Sequence, residues 1–210
     1  MQNYWAEFQA LARFKPLMFA NMMFCIVYGL VASIISLAGL SLFIGMTGAY
    51  SLILGVYKFY ALMKYRLTIT QKDAIDVEQV EKRCAKNIAI CAAVLSFLHF
   101  GLTVVNLFFF DESPSNYELW FLIFIACSTF VKIGLSTIQS IRTRKNHSLI
   151  IHHIKLADMA SALIALALLQ RTILYFVEDP HAKVASGLGG IFFSLCAAAV
   201  CFFMFRKKFV

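Results

Sequence analysis

Six runs of about twenty or more residues with almost no charge set the terms for any fold of this chain. They lie at 17–39, 46–65, 87–110, 119–141, 149–177 and 184–205. A hydrocarbon core of ~30 Å is crossed by ~20 apolar residues in helical form. Inside that core every backbone N–H and C=O needs a partner, which a helix supplies within the segment itself. The chain is 61% hydrophobic, only 14% charged, and has a mean hydropathy of +0.78. An ordinary soluble domain is roughly 45–50% apolar. The expected fold is therefore an all-α integral membrane protein, a single domain of six transmembrane helices over residues 1–210.

The first two spans run into each other through "SLAGLSLFIGMTGAYS", where Gly39, Gly45 and Gly48 suggest a tight uncharged turn. The first fifteen residues carry Tyr4, Trp5, Phe8, Leu11 and Phe14 at helical spacing, with Glu7 and Arg13 among them. That pattern predicts a short interfacial helix with its aromatic rings at headgroup level, not a secretory signal.

Charge is distributed by loop. Basic residues precede span 1 (Arg13, Lys15) and lie between spans 2 and 3 (Lys64, Arg66, Lys72, Lys82, Arg83, Lys86), between spans 4 and 5 (Arg142, Arg144, Lys145) and at the end (Arg206, Lys207, Lys208). "FDESPSNYE" has acids and no base, and "VEDPHAK" has only Lys183. The excess of Lys and Arg on alternate connections predicts both termini on the cytoplasmic side. The net charge of +8 is then mainly a matter of topology and gives no reason to expect a nucleic-acid partner. The connection at 68–86 is expected to be an amphipathic cytoplasmic extension leading into span 3, with Thr70 and Asp73 as a variant capping box.

The cysteines at 25, 84, 91, 127, 196 and 201 have no C-x-x-C spacing and read as small buried hydrophobes. His147, His152 and His153 cluster loosely without a carboxylate or thiol at ligand spacing, so neither a metal nor a cofactor is expected. No G-x-S-x-G, H-E-x-x-H or paired-carboxylate motif is present, which argues against an intramembrane enzyme.

Polar residues inside the spans recur at steps of three or four and so share a helix face. Span 4 gives Ser128, Thr129, Lys132, Ser136 and Gln139; span 3 gives Ser96, His99, Thr103 and Asn106; span 5 gives Asp158, Ser161, Ala165 and Thr172. Span 2 gives Gly48, Ser51, Gly55 and Lys58; span 1 gives Asn21, Cys25, Tyr28, Ala32 and Ser36; span 6 gives Gly187, Gly190, Ser194, Ala197 and Cys201. Such faces avoid lipid, either as helix–helix interfaces or as the lining of a polar cavity. The ionisable groups place the cavity reading on spans 3, 4 and 5.

Depth narrows the choice. At ~1.5 Å per residue, Asp158 and Lys132 both lie about 13 Å from the cytoplasmic ends of their helices, and Lys58 about 10 Å. A lone charge there costs at least ~2.5–3.5 kcal/mol, so Asp158 is expected to pair with Lys132 or Lys58. Lys58 has the alternative of snorkelling towards the cytoplasm. An ion pair of this kind either only fixes helix packing or forms a gate or ligand site, whose spare positive charge favours an anionic or carboxylate-bearing solute. His99, near mid-membrane, is a proton-relay candidate or a neutral packing histidine. Arg171 is expected to snorkel or to pair with Glu178.

The segment "SIRTRKNHSLIIHHIKLADMASALIALALL" resembles the junction of helices 4 and 5 in cation diffusion facilitators, and "GMTGAYSLILGVYKFYAL" is similar to their second helix. The resemblance implies a six-helix membrane domain with cytoplasmic termini. It breaks at the metal site. The family's fifth helix has His and Asp four apart, but Ile154 stands four before Asp158 here. The acidic positions of its second helix fall near Gly55 and Phe59, with Lys58 beside them. One ligand of four survives, which removes the case for a divalent cargo carried in the family's usual way.

The whole chain also resembles a group of small six-helix membrane proteins of Gram-positive bacteria. It shares the two lysines Lys58 and Lys64 at the end of helix 2, "LADMAS" at the start of helix 5, Gln170, and the glycine-rich start of helix 6. That likeness implies a bacterial plasma membrane and says nothing of substrate.

The functional expectation is a secondary transporter or facilitator of a small solute. Asp158, Lys132 and Lys58 are its central charge group, with His99 and Gln139 as lesser candidates, and the lipid bilayer is its surroundings. The alternative is a non-transporting scaffold, subunit or homodimer that makes contacts through span 6, "LFFFDE" and "GIFFSL".

Overall fold

The computed structural model describes residues 2–39, 41–70, 74–109, 119–142, 148–177 and 181–206, with side chains described for 18–37, 41–65, 77–109, 119–120, 122–141, 148–177 and 181–205. Those residues form six α-helices and no strand: α1 (Gln2–Gly39), α2 (Leu42–Thr70), α3 (Ala74–Phe109), α4 (Leu119–Arg142), α5 (Leu149–Phe176) and α6 (Ala182–Arg206). Each contains a stretch long and apolar enough to cross a membrane.

Four of the helices close a ring. Going round it, α1 packs on α2, α2 on α5, α5 on α4, and α4 back on α1. Among the described residues the diagonal pairs α1–α5 and α2–α4 make no such packing. Helices α3 and α6 pack on each other beside the ring, α3 against α2 and α5 and α6 against α5. Helix α5 is thus the most enclosed, and it is also the helix that carries Asp158.

The polar faces read from the sequence turn inward. Every residue of the stripes on α2 to α6 is buried, as are Asn21, Cys25, Tyr28 and Ala32 of α1; only Ser36, near the end of its helix, is half-buried. Large apolar side chains cover the outside, among them Phe97, Phe108, Phe130, Phe192 and Phe202. In a membrane protein this inversion of the soluble pattern follows from the solvent, since lipid tails take Phe and Leu at no cost and reject a hydroxyl without a partner.

The glycines between spans 1 and 2 do not all make the turn. Helix α1 ends at Gly39 and α2 begins at Leu42, and Gly45 and Gly48 lie inside α2. Their role is close approach. A Cβ on Gly29 would sit 2.6 Å from the Leu52 backbone nitrogen and 2.8 Å from the Gly48 carbonyl oxygen, and one on Gly48 would sit 2.9 Å from the Ser33 nitrogen. Without side chains at these points the two backbones touch, as small residues permit in membrane helix pairs.

Residues 2–15 are the first part of α1 and not a separate helix. The expected amphipathic connection is built the same way, as an extension of α3 that begins at Ala74. At 36 residues α3 is about 54 Å long, well beyond the ~30 Å of hydrocarbon. Asp73 of the proposed capping box lies outside the described residues.

The start of α5 has a cap the sequence did not disclose. Ser148 occupies the N-cap position but makes no side-chain cap to its own helix. Instead the Glu81 carboxylate of α3 accepts from the Ser148 hydroxyl at 2.6 Å and from the Ile150 N–H at 3.3 Å. A carboxylate at a helix N-terminus satisfies an orphan donor and complements the helix dipole.

Candidate functional site

The interior of the four-helix ring is a polar column. Asp158 of α5 forms a salt bridge through Oδ1 with the Lys58 ammonium of α2, and the lysine is fully buried. Of the two partners expected from depth, the structure selects Lys58. Snorkelling is excluded, because the whole side chain lies inside the ring.

Lys132 of α4 also points into the ring and is 3% exposed. Its ammonium donates to Ser51 Oγ of α2 at 2.7 Å and to Ser161 Oγ of α5 at 3.4 Å. It sits 4.0 Å from the centre of the Tyr28 ring of α1, a cation–π contact. All four ring helices therefore contribute to its surroundings. Ser161 lies one helical turn from Asp158 on the same face, so the acid and both bases form one group.

That group contains one carboxylate and two ammonium ions. The pair through Lys58 engages one oxygen of Asp158. Among the described residues the other oxygen, Oδ2, has no hydrogen-bond partner, and neither has the buried Tyr28 hydroxyl. Buried polar atoms without partners are rare in native structures, and each calls for an explanation. They belong to the same group as the Lys132 ammonium, whose hydrogen bonds among the described residues go to the neutral hydroxyls of Ser51 and Ser161.

Gln139 is in the same column but outside the charge group. It lies two turns along α4 from Lys132, and its Oε1 accepts from Asn21 Nδ2 of α1 at 3.2 Å. Thr129, on the other side of Lys132, donates to the Ala165 carbonyl of α5 at 3.4 Å.

His99 belongs to a different seam, which corrects the grouping of span 3 with spans 4 and 5. Its Nδ1 meets Ser194 Oγ of α6 at 2.9 Å and Thr103 Oγ1 at 3.5 Å. Phe43 and Tyr50 of α2 pack edge-on against it. Ser96, one turn away, contacts the Tyr50 hydroxyl at 3.3 Å and Cys201 Sγ at 3.7 Å. These contacts join α3 to α6 and α2, outside the column. Arg171 lies further along α5, 4% exposed; its Nη1 donates to Asn106 Oδ1 of α3 at 3.1 Å, and its guanidinium stacks over Phe43. The arginine is therefore an internal tie. Its expected partner Glu178 lies outside the described residues.

At the start of α5, the His153 Nδ1 bonds the Leu149 carbonyl at 2.9 Å, and its ring stands edge-on to His152. Among the described residues no three His, Cys, Asp or Glu side chains converge as metal ligands. His147 lies outside the described residues.

The residues missed as site members are Tyr28, Ser51 and Ser161. All three sit on the stripes read from spacing, but nothing in a stripe distinguishes a ligand to an ammonium from a packing hydroxyl. Comparison with models of known protein families, with curated proteins and with solved structures finds no match.

Proposed function

We propose that the chain is a small secondary transporter, or facilitator, of an anionic solute. The supporting observation is the unequal charge group, in which Asp158 neutralises Lys58 through one oxygen while Lys132, equally buried, meets only hydroxyls and an aromatic face. A solute carboxylate or similar anion supplies the missing charge. It displaces Ser51 and Ser161 from the Lys132 ammonium, and the Tyr28 hydroxyl donates to its second oxygen. Asp158, held on one side only, can change partner as the anion arrives and leaves.

Solid-supported-membrane electrophysiology on proteoliposomes tests this, with a panel of monocarboxylates, dicarboxylates, amino acids and inorganic anions. Asp158→Asn and Lys132→Ala abolish the current for whichever anion the wild type carries, while both proteins still insert. Full currents in both variants end the proposal.

A likeness to cation diffusion facilitators fits at the level of six spans and an inward Asp158. With Lys58 on that carboxylate, a divalent cargo is disfavoured. The distribution of Lys and Arg supports cytoplasmic termini, and the likeness to Gram-positive proteins supports a bacterial plasma membrane. A membrane-impermeant maleimide applied to intact cells checks the orientation: Val177→Cys is labelled and Lys82→Cys is not. The second reading is a non-transporting scaffold or homodimer. The observation in its favour is that the Lys58–Asp158 pair ties α2 to α5 across the ring.

A further inference from the structure

Away from the charge column, on the outer side of the α2–α3 contact, there is a cleft of about 40 Å³. Tyr57, Tyr60 and Lys64 of α2 form one wall, and Arg83, Cys84 and Asn87 of α3 form the other. Tyr60, Lys64, Arg83 and Asn87 are exposed, so the cleft opens outward and not into the ring.

Its position along the helices is informative. Lys64 is two turns beyond Lys58 towards the end of α2, and Arg83 lies in the part of α3 that precedes its most apolar stretch. Both therefore stand at the edge of the hydrocarbon, where headgroups lie. Below them, Val56 and Ile53 of α2 and Ile90 and Val94 of α3 are exposed apolar residues that continue the same groove into the span. Tyrosine at the interface presents an apolar ring and a polar tip to this boundary. Among the described residues Arg83 has no ion-pair partner.

We propose that this cleft binds the headgroup of an anionic phospholipid. Arg83 holds the phosphate by its planar fork of donors, and Lys64 adds a second positive charge from the facing helix. Asn87 and the tyrosine hydroxyls reach the polar remainder of the headgroup, and the acyl chains run down the exposed Val56–Ile90 groove. A free phosphate ion would use the charges but not the groove. The proposal is independent of what passes through the ring.

The test is native mass spectrometry of the full chain in neutral detergent, titrated with dioctanoyl phosphatidylglycerol, with dioctanoyl phosphatidylcholine or with inorganic phosphate. Phosphatidylglycerol is expected to be retained at one saturable site, and phosphatidylcholine at least about tenfold more weakly. The double variant Lys64→Gln/Arg83→Gln binds phosphatidylglycerol about twenty-fivefold more weakly, at about a factor of five per basic residue. Lys82→Gln/Lys86→Gln removes the same charge from the same end of α3 and keeps wild-type binding. Equal retention of the two lipids, equal loss in both double variants, or inorganic phosphate displacing the lipid at comparable concentration would each overturn the assignment.

Discussion

Removing Asp158 should be far more damaging than removing either lysine, and charge counting gives the order. The wild-type group holds one negative and two positive charges in the ring. Asp158→Asn leaves two buried ammonium ions and no counter-charge. Lys58→Met leaves Asp158 near Lys132, whose ammonium already donates to Ser161 one turn along α5, so the carboxylate can change partner. Lys132→Met leaves the Lys58–Asp158 pair intact and removes the one unmatched charge. Breaking a buried pair by deleting one member costs about 3–5 kcal/mol, and each isolated charge in a span costs at least ~2.5–3.5 kcal/mol. Asp158→Asn should therefore fall in or above the 3–5 range. Lys58→Met should cost roughly 1–2 kcal/mol, the loss of a charged hydrogen bond and its packing. Lys132→Met should lie within about 1 kcal/mol of wild type, because a hydrophobic replacement offsets two hydrogen bonds with the cost of an unpaired ion. The assay is reversible unfolding in mixed micelles of sodium dodecyl sulfate and dodecyl maltoside, followed by far-ultraviolet circular dichroism. Completing the cycle with Lys58→Met/Asp158→Asn gives the coupling energy directly. If Asp158→Asn is no worse than Lys58→Met, or if the coupling falls below about 1 kcal/mol, the account of Asp158 as the counter-charge that holds the column together is wrong.

Three further outcomes follow from the packing. Gly29→Ala puts a methyl group against the Leu52 and Gly48 backbones; it should cost about 1–3 kcal/mol as overpacking, seen in the same micelle titration, whereas Gly101→Ala, with open space at that point, should be neutral or slightly stabilising. Glu81→Ala uncaps α5 and should lose about 1 kcal/mol, read as faster amide exchange at Ile150 and Ile151. Asn21→Leu leaves Gln139 without its bond from α1 and should lower stability by about 1–2 kcal/mol without altering the retention of anionic lipid.

Height along a helix was readable in the sequence; direction around it was readable only in part. Depth placed Asp158, Lys58 and Lys132 at one level, and spacing put each on an inward face. Neither could choose between two lysines at equal depth, because that choice depends on which helices are ring neighbours. His99 shows the same gap: its stripe resembles that of α4, yet α3 turns it towards α6 and not into the ring. Glycine has two meanings, as a turn residue and as a site of close approach, and Gly45 and Gly48 were read as the first and serve as the second, Gly45 against the Ser36 side chain and Gly48 against the Ser33 backbone. Glu81 was invisible as a cap because its target is 69 residues away in sequence.

The partners of the central salt bridge are separated by 100 residues, which has a consequence for how the protein is made. At ~5–20 residues per second, Lys58 is synthesised about 5–20 seconds before the carboxylate that neutralises it. During that interval α2 holds a lysine two turns from the headgroups, close enough for its stem to carry the ammonium to the water. The finished fold holds that ammonium on Asp158, with the lysine fully buried. Helix order in this protein is thus sealed by its fifth span, so that a chain halted after α4 should keep Lys58 reactive to water-borne amine reagents that the finished protein excludes.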